Sequence, residues 1–568
     1  MRGKTSAKWV AGAIVVALSA TACGGSDGGK KKEDQSAPVQ QRQPYNNPKI
    51  AVDAAPKKGG TFRLGITEPV AIDPYNAQES EGSLIAHNLF TGLFEVKADG
   101  TLVPGVADDA KPDAKCENWE FKLKTGTKFS NGEDVNAESF ARAWSRVAQK
   151  KSASDVAYHL AGIAGFDEVQ AGKSDKLSGV DGSKADLLKV KLNAPDCGFK
   201  TKTVHTAFAP VPKVAGEGKN KEYNEAPIGN GPFKMEGKWQ HNKSITLVRN
   251  DTSGVVKANL DKVEIAILNP ANGAQLETQG FESGQFDWAR MPVPKQPSLE
   301  KKYKPGNKWI ELDTSGMNFL LPVLDKGVLK NKDARLAVSY AIDRNAIANG
   351  VFKGMQYASS NIIPPSFKDA YKAGACASCV KQDKEKAKEH AKKAGLNSSS
   401  KIVLGYNTGA GHEEWTQAAA KQVEDVLGIK VELKGYPFAQ FLPAQQEPNA
   451  EGMYRFAWGA DYPTAENFLF PLLATKSINK DEGGKVTGDN RARYSNPKFD
   501  SLIDQARATP DDAKRNQMYK DAEKVALDDQ AMIPMFLRTQ FRLVNTDKFA
   551  GASMDFFEDP SLAEISLR

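Results

Sequence analysis

The N-terminus decides where this chain must fold. Residues 1–23 run from a basic start (Arg2, Lys4, Lys8) through an apolar stretch, Trp9 to Leu18, to the small residues Ser19-Ala20-Thr21-Ala22 and then Cys23. The apolar stretch is too short to cross a bilayer, and the order of charge, greasy core and small residues is that of an export signal. The next segment, Gly24 to Lys58, is rich in Gly, Pro, Gln and Lys with only isolated apolar residues, so it cannot bury enough surface to fold. The expectation is a signal over 1–22, a disordered tether over 23–58 and a body that starts at residue 59 and folds outside the cytoplasm.

The cysteine after the small residues resembles the lipobox of bacterial lipoproteins, whose thiol is acylated before the signal is cut. That resemblance implies a lipid on Cys23 and a cell-membrane location facing the extracytoplasmic side; ordinary secretory cleavage is the alternative. Residues 1–58 hold ten Lys or Arg against four Asp or Glu, so +6 of the net +7 belongs to signal and tether. The body is nearly neutral, which removes the compositional case for nucleic-acid binding. With 40% hydrophobic and 26% charged residues the whole chain has a globular composition. No later segment is apolar enough to span a membrane, leaving the N-terminal lipid as the expected contact with it.

Four cysteines remain in the body, Cys116, Cys197, Cys376 and Cys379, and an even number in an exported chain predicts two disulfides. Proximity favours Cys376 with Cys379, and hence Cys116 with Cys197. The Cys-Ala-Ser-Cys stretch also fits a redox pair or half a zinc site, but no second pair or His cluster follows at metal spacing. Strand-like alternation marks Thr61 to Thr67, Trp119 to Leu123 and Leu188 to Leu192. Helical spacing marks Ala137 to Val147, Asp333 to Phe352, Asp383 to Ala394, His412 to Leu427 and Pro510 to Leu527. Thr509-Pro510-Asp511-Asp512 reads as an N-cap, a first-turn proline and dipole-favouring acids. The chain is α/β without an internal repeat.

Particular blocks carry a family resemblance. Trp119-Glu120-Phe121-Lys122-Leu123-Lys124, then Gly126-Thr127-Lys128-Phe129-Ser130-Asn131-Gly132 and Val135-Asn136-Ala137-Glu138-Ser139-Phe140, resemble the signature of the family 5 solute-binding proteins of peptide and nickel ABC importers. Leu89-Phe90-Thr91-Gly92-Leu93, Ile228-Gly229-Asn230-Gly231-Pro232-Phe233, Asp333-Ala334-Arg335-Leu336-Ala337 and Trp458-Gly459-Ala460-Asp461-Tyr462-Pro463 follow in the family's order. Gly162 to Lys173 and Pro210-Val211-Pro212-Lys213 are particularly similar to the oligopeptide-binding branch. The resemblance implies a two-lobed periplasmic-binding-protein-like fold, class II, with an extra inserted domain and a hinge. Lobe I maps to 59–93, 198–290 and 532–568, the insert to 94–197 and lobe II to 291–531, with hinge crossings near 198, 290 and 532. In the signature block, Trp119, Phe121 and Leu123 read as core and Asn131-Gly132 as a turn.

A protein that holds peptides of varied side chains must grip what they share: main-chain amides, an amino end and a carboxylate. In the resemblance, Asp461 holds the ligand's ammonium, with an aspartate capping the turn before Pro463 as the plainer alternative. Ala457 and Gly459, flanking Trp458, belong to a segment whose backbone pairs with the ligand as an added strand. Gln78 to Glu81, with Gln78 and Ser80 as contact positions, matches the opposite edge, where Glu79 and Glu81 add negative charge. Trp458 and Phe438 match pocket-walling tryptophans, with packing in a core as the plainer alternative. Arg455 and His412 match positions at the carboxylate end, and Tyr406 is a candidate lining residue beside them.

The residues give no sign of an enzyme. There is no Gly-x-Ser-x-Gly elbow, no His-Glu-x-x-His, no phosphate loop and no dinucleotide fingerprint, and no cofactor or metal is expected. The expected function is capture of oligopeptides between two lobes by a monomer, followed by delivery to ABC permease subunits. The alternative is a non-peptide solute on the same architecture: an oligosaccharide, a nickel chelate or an opine.

Overall fold

A single ten-stranded sheet runs through the body. From one edge its strands are Lys430–Tyr436, Lys401–Asn407, Met453–Gly459, Trp309–Pro322, Ile533–Val544, Trp288–Ala289, Thr61–Ile66, Lys262–Ile267, Ser244–Arg249 and Phe233–Met235. The computed structural model describes residues 56–568 apart from 78, 409–410, 479, 481–482 and 487. Cys23 and Gln78 therefore lie outside the described residues. Lys57 already joins the fold, its carbonyl accepting the Leu567 amide at 3.1 Å.

Two long strands, Trp309–Pro322 and Ile533–Val544, pair antiparallel and carry the sheet from one half of the molecule to the other. On one side a core forms around Phe62, Leu89, Phe121, Trp144 and Ile265. On the other, helices cover cores built on Phe319, Leu472 and Phe499 and on Trp415, Val423 and Met535. Between the lobes the pairing is irregular, with register shifts between Asp313 and Met317 and between Asn318 and Phe319. Such irregularities weaken a ladder locally and allow it to bend.

The signature block lies in a four-stranded antiparallel sheet of Ala107–Pro112, Asn118–Leu123, Leu187–Lys191 and Val180–Lys184. Alternation along Asn118–Leu123 buries Trp119, Phe121 and Leu123 as expected. Gly132 takes φ +89° in the predicted turn, which glycine adopts without a side-chain clash. Helix Ala137–Ala148 lies over this sheet and starts with a reciprocal cap between Asn136 and Ser139. From it Arg146 makes a bidentate pair with Asp73 at 2.6 and 2.9 Å, donates to the Gly218 carbonyl and lies over the rings of Tyr75 and Tyr223. The two disulfides are Cys116–Cys197 and Cys376–Cys379.

Two helix expectations need correction. The stretch from Asp333 to Phe352 is two helices, Lys332–Ala341 and Arg344–Gly350, because Asp343 adopts an extended conformation and caps the second through the Ala346 amide. The last long helix is Asp512–Asp528, and its N-cap is Asp511 rather than Thr509. Thr509 instead donates to the Gln505 carbonyl of the preceding helix.

Glycine at 229 is required by close backbone approach. A Cβ there would lie 1.8 Å from the Leu89 carbonyl oxygen. Gly229→Ala is expected to destabilise the fold by about 2–4 kcal/mol. Chemical denaturation checks this, and a midpoint equal to the parent's would refute it.

Candidate functional site

The strand Met453–Gly459 has one edge fully occupied and one edge half open. Its partner Trp309–Pro322 pairs with all seven residues, from Gly316 opposite Gly459 to Pro322 opposite Met453. On the other side, Lys401–Asn407 pairs only at Met453 and Tyr454. The second edge of Arg455 to Gly459 therefore has no strand partner among the described residues, and main-chain donors and acceptors there can take an added strand. Alternation puts Phe456 and Trp458 toward the core, Trp458 donating its indole N–H to Asn467 Oδ1 at 3.0 Å. Arg455, Ala457 and Gly459 share the opposite face and are half-buried.

Two groups of opposite charge lie at the ends of this open edge without ionic partners among the described residues. Arg455 donates to Asn407 Oδ1 at 3.2 Å, while its Nε is buried and unpaired. Burial and the nearby Arg538 push its pKa down, a sign of a desolvated cation in want of an anion. Beside it, His412 Nδ1 accepts the Trp415 indole N–H at 3.1 Å, which leaves its Nε2–H free to donate. Burial first, and the charge of Arg455 second, lower the His412 pKa to about 2, so the ring stays neutral. Tyr406 is half-buried on the neighbouring strand, and its ring lies close to Gly435.

At the other end, Asp461 accepts an amide N–H of Asn467 at 2.9 Å, and its own backbone N–H donates to Asn467 Oδ1. Burial, and then the charge of Asp489, raise the Asp461 pKa to about 7 despite the Asn467 bond. Its surroundings come from distant parts of the chain: Tyr158 and His159 from one segment, His205 from another, and Asp489 from its own lobe. The ligating atoms of His159, His205 and Asp461 lie within 4.8 Å of one another.

The facing wall differs from the expectation. Ser80 is the first residue of helix Ser80–Leu89, so the segment expected to offer an edge is already helical at that point. Glu79 is consumed as the cap, accepting from the Gly82 and Val70 amides at 2.9 and 2.8 Å. Glu81 accepts from the Thr67 hydroxyl at 2.6 Å and approaches Arg290. Ser80 and Glu81 line a small cavity of about 110 Å³, whose other side holds Arg538, paired with Glu558 at 2.9 Å. The side chain of Phe438, at the start of helix Phe438–Gln446, lies outside the described residues.

A larger cavity of about 1140 Å³ opens beside Pro463 between the lobes and is lined by His87, Glu95, Phe367, Arg515 and Phe557 among others. Neither Asp461 nor Arg455 lines it.

The lobes also meet through four buried charges. Lys202 lies 2.6 Å from Asp196 and 2.9 Å from Glu466, and Arg507 reaches the same two acids at 3.2 and 3.5 Å. Tyr462, next to Asp461, donates its hydroxyl to Glu466 at 3.2 Å, and the Cys197 amide donates to the Arg507 carbonyl at 2.7 Å.

Sequence reasoning missed His159, His205, Asn467 and Arg538. Asn467 was within reach, six residues after Asp461 and inside the short helical segment Ala465–Phe468. The histidines carry no spacing signal, since about 250 to 300 residues separate them from Asp461.

Comparison with known proteins agrees with this architecture. Residues 101–480 match the family described as "Bacterial extracellular solute-binding proteins, family 5 Middle". The oligopeptide-binding protein OppA of Bacillus subtilis (strain 168) is 30% identical over 524 residues, 89% of this chain and 92% of that protein. Among solved structures, the clavulanic acid biosynthesis oligopeptide binding protein 2 superposes with a TM-score of 0.79 at 20% identity, covering 91% of this chain and 97% of that one. Haemophilus influenzae OppA in complex with RPPGFSPFR superposes with a TM-score of 0.71 at 22% identity, covering 90% of this chain and all of the other. The fold is the two-lobed one of the periplasmic binding proteins, and the chain belongs to the bacterial extracellular solute-binding proteins, family 5.

Proposed function

We propose that this chain is a monomeric, lipid-anchored receptor that captures oligopeptides between its lobes and presents them to the permease subunits of an ABC importer. The observation that carries this is the open edge of Arg455 to Gly459 with an unpaired cation at one end and an unpaired carboxylate at the other. A peptide laid antiparallel along that edge brings its ammonium to Asp461 and its carboxylate to Arg455 and the His412 Nε2–H. At roughly 3.3 Å per residue, the six steps from Arg455 to Asp461 span about 20 Å, which suits peptides of roughly four to six residues. Relatives described as oligopeptide- and dipeptide-binding support peptides as cargo. Lobes bounded as the family resemblance implies would close by bending the two crossing strands, and the thiol of Cys23 would carry the anchor.

Native mass spectrometry of protein purified from its own host tests the cargo, with peptide adducts expected. A carbohydrate or a chelated metal in the cleft would overturn the reading. The intact mass of the membrane-extracted form shows whether Cys23 bears diacylglycerol.

A pH dependence follows. Asp461 titrates near 7 when unliganded and must be ionised to hold an ammonium, so binding grows weaker as the pH falls through 7. The groups facing it are Tyr158, His159, His205 and Asp489. Burial holds both histidines neutral, so neither gains a compensating charge as the pH falls to 6. Calorimetry should show free-amino peptides binding roughly fivefold more weakly at pH 6 than at pH 7, with N-acetylated peptides unchanged. Equal weakening of both would refute Asp461 as the titrating group.

A further inference from the structure

The pocket around Asp461 holds a second polar atom without a partner among the described residues. His159 Nε2 is buried and has no hydrogen-bond partner among the described residues. A ring nitrogen of His159 lies within 4.8 Å of an Asp461 carboxylate oxygen. A buried ring nitrogen without a partner costs stability unless something else fills its bonding direction. The neighbouring His205 does not fill it: the two rings lie over one another at a 31° tilt, with centroids 3.8 Å apart, so their in-plane nitrogens do not point at each other.

Resting on the reading of Asp461 as the ammonium partner, we propose that His159 Nε2 is the second acceptor of that ammonium, making the pocket selective for an unsubstituted primary amine. The geometry suits it. An ammonium donating two bonds of about 2.9 Å along tetrahedral directions needs its acceptors about 4.7 Å apart, which the cluster's span accommodates.

A divalent metal fits the same residues less well. His205 Nδ1 already accepts the Ala207 amide at 3.1 Å, so its Nε2 carries the proton. A ring bonded in this way has no lone pair left for a metal unless it gives up that cap. Two imidazoles and a carboxylate then become one ring pinned by its neighbour, one lone pair and one anion, a set that receives N–H donors. Burial keeps both rings uncharged, so neither brings a positive charge to Asp461.

The test uses the full folded body and calorimetry with tetra-alanine, its N-methyl form and its N-acetyl form. Two variants are compared with the parent: His159→Leu, which removes the acceptor, and His159→Gln, which keeps one. For His159→Leu the preference for the free over the acetylated peptide should fall at least about tenfold, while affinity for the acetylated form stays level. His159→Gln should hold the preference within about threefold, and the parent should bind N-methyl tetra-alanine more weakly than the primary amine. If the parent prefers the free amine and Asp461→Asn abolishes that preference but His159→Leu does not, the assignment of His159 is overturned while the reading of Asp461 stands. If the parent shows no preference at all, the ammonium reading itself falls. Tight zinc binding to the peptide-free parent, lost in His159→Leu, would overturn the proposal in favour of a metal site.

Discussion

Asp461→Asn should weaken binding of free-amino peptides by roughly 2–5 kcal/mol, about 30- to 5,000-fold in Kd. The substitution keeps the shape and a carbonyl for Asn467 but removes the charge that a desolvated ammonium needs. N-acetylated peptides, which bring no charge to this end, should bind parent and variant alike. The variant should also lose the pH dependence near 7, since the titrating group is gone. If the variant kept the parent's affinity for both peptide classes, Asp461 would be only a turn residue before Pro463.

The second large effect concerns the fold. Arg146→Ala should destabilise the protein by about 3–5 kcal/mol, because it leaves the Asp73 carboxylate buried without its cation. Both side chains are nearly inaccessible, at 2% and 0% exposure. The pair ties the helix over the signature sheet to the segment after the first strand, so lost stability should loosen the inserted unit against the first lobe. Chemical denaturation measures the total, and hydrogen exchange over Ala137–Ala148 shows where it is felt. An unchanged denaturation midpoint would show that the ion pair's net contribution is close to zero. Asp73→Asn, which keeps an acceptor, should cost less than Arg146→Ala.

What the sequence disclosed were the features encoded locally. Alternation from Trp119 to Leu123, helical spacing from Ala137 to Val147 and the nearness of Cys376 to Cys379 are short-range patterns, and the structure shows the strand, the helix and the disulfide. Asp461 and Arg455 were named through the family resemblance, Arg455 on the strand Met453–Gly459 and Asp461 just past its end. The break at Asp343 was hidden because helical spacing continues across it, and only the backbone turn at that residue reveals a fresh cap. Glu79 and Glu81 looked like charge added to a pocket, yet each is spent on a neighbour within its own wall. The histidines around Asp461 were illegible for a different reason. Their meeting depends on how two lobes pack, and no spacing along the chain encodes that.

The two acids and two bases shared between the lobes have a consequence for turnover. Their charges cancel, and stripping water from all four offsets most of what their attraction returns. Such a quartet aligns the jaws without welding them shut. Under the proposed function, cargo shifts the balance between open and closed postures only by its difference in affinity for the two.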